Sequence, residues 1–132
     1  IARALLDGIA FQCADIIRAL DAKTGGSILE VRADGGPSRN SYLIQRQADL
    51  LNMPVLVSLE PDMTGLGAAI LAAIGAGQLT KAEAAGMPID RKVNEPELGA
   101  DQRGQLWAEW ESNVRDVADR AAGQRAAAAE AL

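Results

Sequence analysis

A strand, a glycine loop, a helix and a second strand follow one another between Ile28 and Leu59, and this order constrains the fold more than any other feature of the chain. In the first strand, Ile28–Ala33, Leu29, Val31 and Ala33 fall on one face and Glu30 and Arg32 on the other. Asp34-Gly35-Gly36-Pro37-Ser38 makes the loop, and a helix over about Ser38–Leu51 carries a stripe of Leu43, Ile44, Ala48 and Leu51. Asn52 and Pro54 stop it, and Val55–Leu59 reads as the second strand. Two strands separated by a helix are joined by a right-handed crossover and lie parallel. A parallel sheet is covered on both faces and has more than two strands. The remaining strands are therefore expected outside this chain or from another molecule.

Helices flank this unit. Ile1, Leu5, Ile9, Cys13, Ile16 and Leu20 recur at helical spacing, with Leu6 and Ile17 widening the stripe, so a buried face is expected along Ile1–Leu20. Thr24-Gly25-Gly26 would end that helix. No cap or turn precedes Ile1, which points to a piece cut from a longer protein. After the turn Glu60-Pro61-Asp62, Met63–Ala76 forms a helix. Its Gly65, Gly67, Ala68, Ala69, Ala72 and Ala73 suggest close packing against another backbone. Thr80 and Glu83 have the spacing of a capping box opening a short helix that ends at Gly86. Met87–Gly99 reads as a surface connection. Asp101 to about Ala128 is a last helix, with Trp107, Trp110, Val114, Val117 and Ala121 as its buried stripe. Residues 1–128 form one domain in this reading, and 129–132 a frayed tail.

Composition excludes several functions. The chain has 132 residues, 48% of them hydrophobic, which suffices for a core. A net charge of −5 with scattered Lys and Arg argues against nucleic acid. No apolar run is long enough to cross a membrane. One cysteine, Cys13, fits a reducing compartment, so a cytoplasmic location is expected. With no histidine and one cysteine, the usual zinc sites are ruled out.

The loop Asp34–Asn40 is the best candidate for chemistry, because open parallel sheets bind ligands at the carboxyl ends of their strands. Gly35 and Gly36 let a ligand approach the backbone, and the following helix offers N–H groups and a positive dipole end. Asn40, placed in the first helical turn, offers a donor and an acceptor. Arg39 either meets a phosphate or lies in water. The loop is neither a Walker A sequence nor a Gly-x-Gly-x-x-Gly, and Asp34 could simply cap the loop's own N–H groups. Gly65-Leu66-Gly67 suits helix packing better than phosphate binding. Glu60 and Asp62 read as solvated turn residues, Cys13 as a small apolar residue, and the two tryptophans as core.

Ile1–Phe11, with Leu5-Leu6-Asp7-Gly8-Ile9-Ala10, resembles the tail of a signature of the FGGY carbohydrate kinases. Arg32-Ala33-Asp34-Gly35-Gly36 with Asn40, then Gln45 and Gln47-Ala48-Asp49-Leu50-Leu51, resembles the Asp-Gly-Gly segment of that family. Pro54-Val55 and Thr64-Gly65-Leu66-Gly67-Ala68-Ala69 resemble its next strand and helix. The resemblance implies an α/β fold, the C-terminal lobe portion of an actin-like, ribonuclease-H-like ATPase with an incomplete sheet. It implies transfer of the ATP γ-phosphoryl group, with Mg2+, to a hydroxyl of a sugar or polyol, glycerol first among them. By position, Gly36 and Asn40 would contact the adenine nucleotide and Gly35 would shape the loop. Pro37, Ser38 and Arg39 depart from the small residues that the family's glycerol-phosphorylating members show there. No catalytic residue and no metal ligand falls within the chain: the base and the sugar contacts lie upstream in the family. The chain alone is therefore expected to be inactive. Alternatives are a pentulose or other polyol kinase, or a non-catalytic nucleotide-binding or assembly module. A homo-oligomer is open.

Overall fold

The computed structural model describes the backbone of residues 1–130 and the side chains of residues 1–124. Two compact units are present, Ile1–Glu97 and Leu98–Leu132.

The first unit contains α1 (Ala2–Lys23), β1 (Val31–Ala33), a 3-10 turn (Gly36–Arg39), α2 (Ser41–Leu51), β2 (Val55–Ser58), α3 (Met63–Gly75), α4 (Lys81–Ala85) and β3 (Arg91–Asn94). The sheet order is β1-β2-β3. β1 and β2 run parallel with Val31 opposite Val55, as the crossover requires. β1 is shorter than the sequence suggests. Val31 N–H donates to the Pro54 carbonyl at 3.0 Å, and pairing starts there. Pro54 has no N–H to give, and Leu29, 80% exposed, precedes the ladder.

β3 was read as part of a surface connection. It pairs antiparallel with β2, Val55 opposite Asn94 and Ser58 opposite Arg91. Its pattern hides it: Val93 is exposed while Asn94 is buried. The Asn94 side-chain amide donates to the Val55 carbonyl at 3.1 Å, so the inward-facing residue is polar and satisfied. Hydrophobic alternation, the usual mark of a strand, is absent.

α2 lies over the sheet. Ile44, Ala48 and Val55 form the core cluster, with Val31, Ala33 and Val57 packed against it. The stripe of α2 is buried as expected, and Leu50 joins it at 2% exposure. Buried Asp49 accepts from Glu97 N–H at 2.7 Å and from Gln45 Nε2 at 3.2 Å, which ties the segment after β3 to the helix.

The expected buried stripe of α1 is corrected. Ile1, Leu5, Ile9, Ile16 and Leu20 are exposed, and the buried residues are Ala10, Phe11 and Ala14. That small face meets α2 under a polar clasp. Asp7 Oδ1 accepts from Tyr42 Oη at 2.6 Å and from Arg46 Nε at 2.9 Å, and Arg3 Nε donates to Tyr42 Oη at 3.0 Å. Arg46 also lies over the Phe11 ring. Periodicity shows where a helix can be buried; the charged partners on α2 decide which face meets it.

α3 is corrected likewise. None of its residues is buried, and an added Cβ at Gly67 would meet nothing within 4 Å. Gly65 has a local reason instead: Asp62 caps the helix, accepting from Gly65 N–H at 2.8 Å, and a Cβ there would collide with that carboxylate. Asp62 is thus a cap rather than a merely solvated turn residue.

The capping box of α4 forms as read. Thr80 Oγ1 accepts from Glu83 N–H at 3.2 Å, and the Glu83 carboxylate accepts from Thr80 N–H at 2.8 Å and from its hydroxyl at 2.7 Å. These hydrogen bonds, the hydroxyl's first, hold the Glu83 carboxyl below its ordinary value. A depressed carboxylate favours the folded helix above the unfolded pKa, and that contribution is lost as pH falls through the folded one. In a carbon-13 titration, Glu83 should therefore protonate at lower pH than Glu83 of the Thr80→Val variant. Coincident midpoints would contradict the box.

In the second unit, α5 spans Ala100–Glu130. Trp107 is buried and Trp110 half-buried, but Val114 and Val117 are 46% and 66% exposed and Ala121 is exposed too. The expected stripe is covered only at its start. Of the tail expected to fray, the backbone is helical through Glu130, and residues 131–132 lie outside the described residues.

Candidate functional site

The polypeptide leaves β1 at Ala33 and turns sharply. Gly35 has φ 91° and ψ 179°, a region closed to residues with a Cβ. The turn is closed by Ser38 N–H donating to the Gly35 carbonyl at 3.1 Å and Ser38 Oγ donating to the same oxygen at 2.7 Å. Pro37 sits at the start of the 3-10 turn, where its missing N–H costs nothing. This turn replaces the first residues that the sequence assigns to α2, and α2 begins at Ser41.

Asn40 is correspondingly not in the first turn but at its cap. Its Oδ1 accepts from Leu43 N–H at 3.2 Å, and its carbonyl accepts from Ile44 N–H at 3.1 Å. The acceptor of the Asn40 side chain is thus committed to the helix, and the Nδ2 amino group is left to donate outward. The N–H groups of Ser41 and Tyr42 are the other donors that a helix start leaves without intrahelical partners.

Gly36 has ordinary backbone angles, and a Cβ built on it would meet nothing within 4 Å. The open space above Gly36 is a clear approach to the backbone. A hollow of about 60 Å3 lies beside it, lined by Asp34, Gly35, Gly36, Ser58, Glu60 and Arg39. A larger cavity of about 470 Å3 shares Arg39, Glu60 and Pro61 with it and is lined further by Ile44, Val57, Leu59 and Lys92. Asp34 does not cap the loop: the oxygen that closes the turn is the Gly35 carbonyl, and Asp34 is among the residues lining the hollow. The three residues selected from the sequence, Gly35, Gly36 and Asn40, are brought together at the carboxyl end of β1. Glu60 and Ser58, from the end of β2, join them there without having been singled out as binding residues. Parallel pairing of β1 with β2 sets these two strand ends side by side.

A parallel pair with a glycine turn at its carboxyl edge and helices packed on it is the architecture of the C-terminal lobe in actin-like ATPases. Xylulose kinase from Rhodospirillum rubrum shares the fold with a TM-score of 0.68 at 22% identity, over 88% of this chain and 24% of that one. Plasmodium falciparum glycerol kinase, solved with ADP, matches with a TM-score of 0.73 at 32% identity, over 88% of this chain and 24% of that one. Residues 1–76 match the C-terminal domain of the FGGY family of carbohydrate kinases, and the chain belongs to that family. The glycerol kinase of Citrifermentans bemidjiense is 47% identical over 116 residues, which cover 87% of this chain and 23% of the relative. That of Dechloromonas aromatica is 43% identical, over 86% and 23%. The chain thus spans about a quarter of the length of the relatives that it matches.

Among the described residues, no three His, Cys, Asp or Glu side chains group as metal ligands. No helix among them is long and apolar enough to cross a membrane.

Proposed function

We propose that residues 1–128 are the nucleotide-binding part of an ATP-dependent kinase that phosphorylates a hydroxyl of a small polyol or sugar, with glycerol as the preferred acceptor. The observation that carries this reading is the turn at Gly35–Gly36 with Asn40 beside it, open toward solvent at the carboxyl end of β1. Gly36 admits the nucleotide to the backbone, Gly35 allows the turn, and Asn40 Nδ2 donates to an acceptor on it. The bound nucleotide supplies the γ-phosphoryl group. Mg2+ would arrive on its phosphates, since the described residues offer no ligand cluster of their own. The sequence identity to glycerol kinases favours glycerol over pentuloses. Phosphoryl transfer depends on groups placed on both sides of the phosphates, so the 132-residue chain by itself should bind nucleotide and show no kinase activity. A cytoplasmic location fits this role.

A thermal melt with and without Mg2+-ADP tests the reading. At a ligand concentration tenfold above Kd, linkage gives about 1.4 kcal/mol of stabilisation. For a chain of this size that is a rise of roughly 5 °C. Gly36→Asp places a carboxylate in the open approach, and the rise should vanish while the unliganded melting temperature stays within about 2 °C. A wild-type chain that melts cooperatively and ignores ADP would overturn the proposal.

A further inference from the structure

β3 brings Lys92 to the site. In the antiparallel ladder Lys92 stands opposite Val57, and cross-strand partners project from the same face of a sheet. Val57 packs against the core cluster under α2, so Lys92 is on the α2 side, where it lines the 470 Å3 cavity at the start of that helix. Lys92 does not line the smaller hollow, and Asp34 does not line the larger cavity. Among the described residues the Lys92 ammonium has no hydrogen-bond or ion-pair partner. Glu60 is the acid in the lining of the larger cavity, and it pairs with neither Lys92 nor Arg39. Its carboxylate instead accepts from Asp62 N–H at 3.4 Å.

Donors are therefore in excess around this cavity. Two cations stand against one carboxylate. Ser58 Oγ accepts from Glu60 N–H at 3.1 Å, which leaves its hydroxyl hydrogen to donate. A lysine ammonium has three donors, no acceptor and no flat face, so the group that it meets must bring acceptors. An adenine ring brings neutral nitrogens. Phosphates bring charged oxygens, and a hydrogen bond between charged groups is roughly twice as strong as a neutral one. Resting on the proposed function, we infer that Lys92 is a further nucleotide-binding residue, its ammonium donating to the phosphates. The four-carbon stem is rooted in a paired strand, which gives the charge reach from a fixed base.

Calorimetric titration of the 132-residue chain with ADP and with adenosine tests the inference in wild type, Lys92→Met and Lys92→Arg. Methionine keeps an unbranched stem and removes the charge, whereas arginine keeps the charge. Lys92→Met should bind ADP roughly tenfold more weakly and adenosine as wild type does, and Lys92→Arg should stay within about threefold of wild type for ADP. The gap between wild type and Lys92→Met should narrow in high salt, because an exposed charge pair is screened. The unliganded melting temperatures should agree within about 2 °C, since the ammonium has no partner to lose. If Lys92→Met binds ADP like wild type, the ammonium lies in water and the inference falls alone. Equal losses for adenosine and ADP, or a Lys92→Arg variant as weak as Lys92→Met, would mean that Lys92 does not supply charge to phosphate, and the inference falls again. If wild type binds neither adenosine nor ADP, the proposed function falls and takes the inference with it.

Discussion

Leu50→Ala is expected to remove about 2–5 kcal/mol of stability from the first unit. Leu50 and Val55 are the largest fully buried side chains, and Leu50 is the bulkier. Truncation forfeits the transfer free energy of three buried carbons and leaves a cavity that a close-packed interior refills only in part. A domain of this size has roughly 5–15 kcal/mol in total, so the variant should approach half-unfolded conditions at ordinary temperature if the wild type lies at the low end. Neighbouring Leu51, at 8% exposure, should cost less, because its cavity opens toward solvent. Urea unfolding followed by circular dichroism measures both. The midpoint should fall with an unchanged slope. A loss below 1 kcal/mol for Leu50→Ala would mean that α2 is not held against its neighbours as described.

The parts of this fold that were legible are those written in local chemistry. The crossover from Val31 to Val55 follows from strand, helix and strand in sequence, and the α4 capping box from two residues three apart. The glycine turn was legible because its backbone demands Gly35 whatever surrounds it. What was missed depends on partners remote in sequence. β3 is recruited by the free edge of β2, and it shows no apolar alternation because its inward residue is an asparagine bonded across the strand. On α1, the large aliphatic stripe was taken for the buried face. The face that packs on α2 is Ala10, Phe11 and Ala14, selected by the Asp7–Arg46–Tyr42 clasp, in which Asp7 lies over thirty residues from both of its partners. The small residues of α3 were read as a packing surface, whereas at Gly65 the nearest constraint is the helix's own cap. At the site, Gly35, Gly36 and Asn40 were identified, but the role of Asn40 changed. Only the geometry shows that its side-chain oxygen Oδ1 is spent on Leu43 N–H.

Gly35→Val should both weaken the fold and abolish nucleotide binding, and a paired variant separates the two causes. At φ 91° and ψ 179° the backbone lies where only glycine is comfortable, and holding a β-branched residue there costs about 1–3 kcal/mol. The Cβ that the substitution would add has no neighbour within 4 Å outside the adjoining residues, so the cost at the Cβ itself is conformational. The chain can escape the strain by reversing the turn. That would break the two bonds from Ser38 to the Gly35 carbonyl and move Asn40 off the end of α2. The expected result is a melting temperature lower by roughly 4–12 °C and no further rise with Mg2+-ADP. Gly36→Ala is the control, because Gly36 has ordinary angles and the same empty surroundings. It should leave the unliganded melting temperature within about 2 °C of wild type. It should still reduce the ADP-induced rise, since its methyl group stands in the approach to the backbone. If the two variants lower stability equally, the cost at position 35 is not conformational. If Gly35→Val keeps its full response to ADP, the nucleotide does not depend on this turn, and the site lies elsewhere on the chain.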